Sequence, residues 1–351
     1  MSELPGKLTS AALKSTVLSK LGKSRSEVKI NAAFGTDTSV ISTGNGQALA
    51  VSSDPLSLIP GLGFKESALL SVHLTANDMA TTGFAPQYAQ FVLNLPVQLT
   101  AGDFEAYWNH IHQYCRNAGI AITGGHTGRI PGQESTVPGG ATMFLTAPES
   151  EIITSQGAQP GDTLVMTKEA AISSTSILAK SFPQTLEKEL GSELYQQAVN
   201  NFYRIPAQKE ALIAAQTITN NNELTAMHDV TEGGILGAAL EMARASNCGV
   251  HINSESILAG DAQRKIAAFF NLDYRKIIGA GSMLMAVKPQ AVSKLQSALK
   301  KSGIESAQIG NFTDAAAGYT IVENGKVESL QDEEQDPYWA AFFEAVQKGM
   351  K

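Results

Sequence analysis

Four short segments place a carboxylate beside small residues or at the exit of an apolar run. They are Gly35-Thr36-Asp37-Thr38-Ser39, Ser52-Ser53-Asp54-Pro55, Ala76-Asn77-Asp78-Met79 and His228-Asp229-Val230-Thr231-Glu232-Gly233-Gly234. Aspartates of this kind can share a hard cation, and a hard cation usually brings phosphate with it. A fifth segment, Gly124-Gly125-His126-Thr127, offers free backbone N–H groups and a hydroxyl, the makings of an anion-binding turn. Each segment also has a plainer reading. Asp37 and Asp54 are equally turn aspartates, and Asn77-Asp78 can simply face solvent. His126 can be a hydrogen-bonded turn residue, and Thr231 or Asp229 can cap the helix that follows.

The elements around these residues decide where they point. The spacing predicts a helix from Thr9 to about Leu21 and a hairpin of 39–43 with 47–51 turning at Gly44-Asn45-Gly46. That hairpin puts Asp37 and Asp54 at the same end of two paired strands. A helical pattern over 65–82 carries Asn77-Asp78 in its interior, where both residues are poor helix formers. Strands are predicted over 88–95, 120–122 and 137–147, with a helix over 103–118, and the 120–122 strand delivers the Gly124-Gly125-His126 turn. Residues 148–160 are polar and read as a link. Beyond them come strands over 164–167, 224–227 and 283–287, and helices over 172–182, 206–219, 233–245, 289–301 and 337–347. A hairpin turns at Asn324-Gly325. The 224–227 strand runs into His228-Asp229, and the N-terminal dipole of the 233–245 helix favours a phosphate there. Strands and helices alternate incompletely in both halves, which predicts two α+β domains, 1–150 and 151–351.

Composition narrows the class. With 351 residues, 43% hydrophobic and 17% charged, the chain is of ordinary globular make-up. A net charge of −7 argues against nucleic-acid and anionic-membrane surfaces. Cys115 and Cys248 are isolated, which predicts buried free thiols and a reducing compartment. No segment reads as a secretion signal or approaches the roughly 18 apolar residues of a membrane span, so a cytoplasmic protein is expected. The P-loop, strand-linked GxGxxG, HExxH and GxSxG patterns are all missing from the sequence. A nucleotide must then be held by metal-bound carboxylates and glycine-rich turns.

In their order, these motifs resemble the aminoimidazole ribonucleotide synthetase superfamily, which includes thiamine-monophosphate kinase, selenophosphate synthetase and the hydrogenase maturation protein HypE. The resemblance runs from Pro5-Gly6-Lys7-Leu8 to Gln308-Ile309-Gly310 and is strongest to HypE-like and AIR synthase-related proteins. It implies a two-domain α+β, PurM-like fold that dimerises through a mixed or antiparallel N-terminal sheet. It also implies Mg-ATP in a cleft and phosphoryl transfer to a small acceptor. Carried onto this chain, Asp37, Asp54 and Asp78 would bind magnesium. Lys7, Asn77, Gly124, Gly125, His126, Thr127, Thr231, Gly233 and Gly234 would face the nucleotide, and Asp229 would bind another metal or, with His228, serve the acceptor side. The chain departs from the pattern in three places. It ends Gly349-Met350-Lys351 without the substrate-carrying cysteine of HypE, it has no reactive cysteine before Cys115, and Ala171-Ile172-Ser173-Ser174-Thr175 replaces a Gly-x-Glu-Gly-Thr stretch. Two other readings stay open: a non-catalytic nucleotide-binding maturation or regulatory partner, and a metallohydrolase using His126 and His228.

Overall fold

In the computed structural model, residues 6–331 and 335–351 are described; Pro5 of the Gly6-Lys7 segment lies outside them. The first sheet contains β1 (Val28–Ile30), β2 (Ser39–Gly44), β3 (Gln47–Pro55), β4 (Tyr88–Pro96), β5 (Ala121–Ile130) and β6 (Gly139–Pro148), in the spatial order β1-β2-β3-β6-β4-β5. Helices α1 (Ser10–Leu13), α2 (Phe64–Ala80) and α3 (Ala101–Asn117) accompany it. The second sheet contains β7 (Thr163–Thr167), β8 (Leu224–Asp229), β9 (Gly249–Asn253), β10 (Met283–Val287), β11 (Ser306–Thr313), β12 (Tyr319–Glu323) and β13 (Lys326–Ser329), ordered β13-β12-β9-β11-β7-β10-β8. Around it lie α4 (Ile172–Ser181), α5 (Pro183–Leu190), α6 (Ser192–Asn201), α7 (Gln208–Thr217), α8 (Gly234–Ala245), α9 (Asp261–Phe269), α10 (Pro289–Lys301) and α11 (Pro337–Gln347). Both sheets are mixed, with β4–β5 and β9–β12 as their parallel pairs. The architecture is α+β in two domains, and none of the described helices is long and apolar enough to cross a membrane.

Helix α2 joins the two domains. Val72, Ala76 and Met79 pack on the first sheet among Ala50, Phe91, Leu93 and Met143. Leu69 and Leu70 meet Phe202 and Ile205 of the second domain, while Ala80 meets Ala211 and Ala214. Apolar contact on two sides explains why its sequence shows little one-sided patterning. Each fully buried large side chain contributes about 1.5–3 kcal/mol, so α2 is fixed from both directions.

The opposite face of the first sheet is open. Along β4, Ala89, Phe91 and Leu93 point inward, whereas Tyr88 (39% exposed) and Val92 (44% exposed) point out. The Asn45 and Gly46 turn takes left-handed backbone, as a two-residue hairpin with right-twisted strands requires.

Several sequence expectations need correction. The first helix stops at Leu18, its last turn being a π-helix over Lys14–Leu18. Gly124–Thr127 is not a turn but the middle of β5, paired in parallel with 90–93 of β4. Strands β1, β9 and β11 and helices α5, α6 and α9 were not anticipated at all.

An acidic centre between the two domains

The loop before β2 brings Asp37 to the second domain. A Cβ on Gly35 would stand 2.8 Å from the Glu241 carbonyl, and its φ of +73° is left-handed, so only glycine permits this approach. Asp37 Oδ1 then lies 2.6 Å from His228 Nδ1 at the end of β8. The other ring nitrogen of His228, Nε2, is 2.9 Å from Glu241 Oε2 on α8. Asp54, near the end of β3, occupies the same end of the hairpin as Asp37. Asp78 Oδ2 accepts a hydrogen bond from Ser52 Oγ at 2.8 Å, and Asp229 lies near enough for the two carboxyls to shift each other's titration. Three carboxylates of the first domain therefore converge on Asp229 and Glu241 of the second.

Confinement of so many like charges shows in their titration. Burial pushes Asp78 well above the usual carboxylate range, helped by the charges of Asp229, Asp54 and Asp37. Burial raises Asp229 to about 7, with Asp37 adding to it. Asp54 is raised to about 6, again first by burial, with Lys7 opposing. Two cations answer them. Burial works against the charge on His228, but Asp37 and Glu241 outweigh it and hold its pKa well above the ordinary imidazole value. Lys7 behaves likewise: desolvation is overcome by Glu241, Glu232, Asp229 and Asp78.

Asp37, His228 and Asp229 each present an atom within 4.8 Å of the other two. Among the described residues, Asp37 Oδ2 and Asp229 Oδ2 are buried polar atoms without a hydrogen-bond partner. Orphaned carboxylate oxygens on two members of one close cluster fit a divalent, oxygen-preferring cation.

Residues 6–9 and the start of α11 close over this centre. Lys7 Nζ donates to Thr231 Oγ1 at 2.9 Å, and its backbone N–H donates to Glu232 Oε2 at 2.8 Å. The Trp339 indole N–H donates to Glu232 Oε1 at 3.2 Å. Gly233 N–H, at the head of α8, donates to Asp336 Oδ2 at 2.8 Å.

Residues 35–145 match the AIR synthase related protein N-terminal domain, and residues 159–323 match its C-terminal domain. The chain belongs to the AIR synthase related family. Carbamoyl dehydratase HypE of Rhizobium leguminosarum bv. viciae is 24% identical over 247 residues, covering 69% of this chain and 67% of that protein. Selenide, water dikinase of Haemophilus ducreyi is 27% identical over 312 residues, 82% and 85% of the two chains. In fold, the chain is similar to hydrogenase maturation protein HypE solved in complex with ATP (TM-score 0.69, 18% identity, 95% of this chain and 94% of that one). It is also similar to HypE in a HypE–HypF complex (TM-score 0.73, 14% identity, 92% and 100%).

Within this AIR synthase related chain, the predicted site residues divide. Asp37, Asp54, Asp78, Asp229, His228, Lys7 and Thr231 are brought together. Gly124, Gly125, His126 and Thr127 are not: the register Asp54–Ala141–Phe91–Gly125 sets Gly125 three strands from Asp54, about 14 Å away. Asn77 is fully buried, and both ends of its amide are consumed by backbone of residues 205 and 207. His228 has both ring nitrogens turned to carboxylates, which makes it a link between them. Neither Thr231 nor Asp229 caps α8; Gly233 does, in left-handed backbone. Gly234 is required by packing, since a Cβ there would lie 2.6 Å from the Arg275 carbonyl. Ser52, Glu232, Glu241, Asp336 and Trp339 join the centre without having been singled out. Ser52 and Glu232 stood inside quoted motifs, but Glu241 and Asp336 carry no local signal.

Proposed function

We propose that this AIR synthase related chain is an ATP- and magnesium-dependent enzyme that transfers a phosphoryl group to an oxygen of a small molecule. The observation that carries this reading is the meeting of Asp37, Asp54 and Asp78 of one domain with Asp229 of the other, two of them with orphaned oxygens. Phosphoryl transfer asks mainly for positioning and charge neutralisation, and a carboxylate cluster supplies both through the cation it holds. Asp37 and Asp229 would hold magnesium, with Asp78 and Asp54 completing its surroundings; the metal would neutralise phosphate charge. Lys7 and Thr231 would face the phosphates, and the 6–9 segment would keep water out. Relatives support the class: a HypE has been solved with ATP, a ThiL with AMPPCP and TMP, and a selenide, water dikinase is named for its chemistry.

On this reading residues 1–150 form the nucleotide-binding and dimerising domain, and 151–351 complete the cleft. The open face carrying Tyr88, Val92 and β5 is where a second copy would pack. The Gly124–Thr127 strand would then act at the partner's interface, outside its own acidic centre. The HypE–HypF complex suggests that a protein partner is a further possibility for this family.

One observation favours a non-catalytic nucleotide-binding protein instead. The hydroxyls of the divergent 171–175 stretch are turned inward: Ser173 Oγ donates to the Ile278 carbonyl, and Ser174 Oγ and Thr175 Oγ1 both donate to the Ala171 carbonyl. They are therefore engaged before any acceptor arrives.

Thermal unfolding with ATP, with and without magnesium, tests the primary reading on wild type and Asp54→Ala. A ligand at 100 times its Kd adds roughly 2.7 kcal/mol. A magnesium-dependent shift lost in the variant supports the nucleotide site; no shift in wild type overturns it. Binding without ADP formation across an acceptor panel selects the non-catalytic reading.

A further inference from the structure

Four consecutive backbone positions, Arg204 to Ala207, are gripped by two side chains from different domains. Asn77 Nδ2 on α2 donates to the Ile205 carbonyl at 3.0 Å, and Asn77 Oδ1 accepts from the Ala207 N–H at 2.8 Å. Lys168, the residue after β7, donates through Nζ to the carbonyls of Arg204 and Pro206, both at 2.7 Å. Its ammonium also lies 2.5 Å from Glu210 Oε1, so three acceptors surround it. Every carbonyl from 204 to 206 thus has a side-chain partner.

Both residues are locally disfavoured where they stand. Asparagine is a poor helix former, and Asn77 sits in the last turn but one of α2 with no exposed surface. Lys168 has a φ of +53°; apart from Ala171, the other non-glycine residues in left-handed backbone among the described residues are asparagines. A lysine held there is strained and persists only where its surroundings hold it in place.

The grip lies beside the acidic centre at two points. Asn77 immediately precedes Asp78. Asp229 pairs with Met283, whose N–H donates to Thr167 Oγ1, so Lys168 leaves the sheet at the same end as Asp229, two strands or about 10 Å away.

We propose that Asn77 and Lys168 are positioning residues: through the 204–207 segment they lock the two domains at the separation that sets Asp78 against Asp229. The segment acts as a keystone, and neither side chain touches a ligand of the centre.

Disulfide trapping tests this on the full chain without nucleotide or metal, so its outcome is separate from that of the phosphoryl-transfer reading. Asp78→Cys with Asp229→Cys reports the interdomain contact, and Ser52→Cys with Asp78→Cys reports a contact inside the first domain. Under a mild oxidant the interdomain pair should close readily. Adding Asn77→Ala or Lys168→Met should slow that closure roughly tenfold, with the Ser52–Asp78 pair unchanged; Lys209→Met, which removes an ammonium bonded to the Ser302 carbonyl at 2.9 Å and outside the grip, should leave both rates unchanged. Asn77→Ser is the milder substitute if Asn77→Ala does not fold, and Lys168→Arg if Lys168→Met does not; thermal unfolding of each protein shows that it is folded. Failure of the interdomain pair to close, or closure at the same rate with and without Asn77→Ala, overturns the proposal. Equal slowing of both pairs also overturns it, because that is general loosening.

Discussion

The His228 imidazole stands 2.6 Å from Asp37 through Nδ1, and its far nitrogen is turned to Glu241. One side chain of β8 thereby joins a loop of the first domain to a helix of the second. Removing one member of a buried ion network leaves the others unpaired, which typically costs about 3–5 kcal/mol. His228→Ala should therefore unfold at markedly lower urea, and its loss should exceed that of Asp37→Asn, which leaves His228 its Glu241 partner. Equal stability of His228→Ala and wild type in urea would show that the imidazole carries no such load.

Asp78→Asn should separate stability from function. The metal-free protein pays for a carboxyl that burial disfavours and that Asp229, Asp54 and Asp37 crowd, and the neutral amide relieves both. Calorimetry without metal should show an equal or higher melting temperature, while the magnesium-dependent shift with ATP disappears.

Gly35→Ala should be costly for a residue so exposed to substitution by a single methyl. The added carbon meets the Glu241 carbonyl at 2.8 Å in left-handed backbone, a strain of about 1–3 kcal/mol. Unfolding in urea measures the loss, and the same variant should bind magnesium more weakly because Asp37 is displaced.

Asp336 predicts a pH dependence. Burial raises its pKa to about 6 in the folded protein, against 3.8 for the unfolded chain, so the folded state binds the proton more tightly. Its contribution is present in full below about pH 4 and is lost as pH rises through 6. In Asp336→Asn that segment of the stability–pH curve should flatten; an unchanged slope between pH 4 and 6 would assign the effect elsewhere.

Much of the centre was legible from short range. Asp37, Asp54, Asp78 and Asp229 stand at turns or strand exits, and the Gly44-Asn45-Gly46 hairpin correctly aligned the first two. Helix α10, helix α11 and strand β10 fall where periodicity and proline placement put them. The misses have physical causes. Gly124-Gly125 reads as a turn because glycine permits one, but pairing with β4 extends it; a Cβ on Gly125 would lie only 1.8 Å from the Phe91 carbonyl, so the glycine serves close strand approach. The resemblance set Asn77 beside the nucleotide and its local reading was solvent, but its amide is taken up by backbone some 130 residues away, beyond any local pattern. Glu241 and Asp336 are ordinary until the chain folds around them.

Lys7 and Asp336 put the cleft in the position of an ion exchanger already loaded with its own salt. The ammonium, held by the Thr231 hydroxyl, sits in the field of Glu241, Glu232, Asp229 and Asp78 beside the place a metal would take, and the Asp336 carboxylate occupies a backbone N–H at the head of α8 where an anion would go. On the proposed reading, an arriving metal–phosphate pair would exchange with tethered groups as well as with water, and its affinity would report a competition. Free salt competes at its bulk concentration, whereas a tethered ion keeps the same local concentration however far the solution is diluted. Dialysis can strip a bound metal from such a site; it cannot strip Lys7.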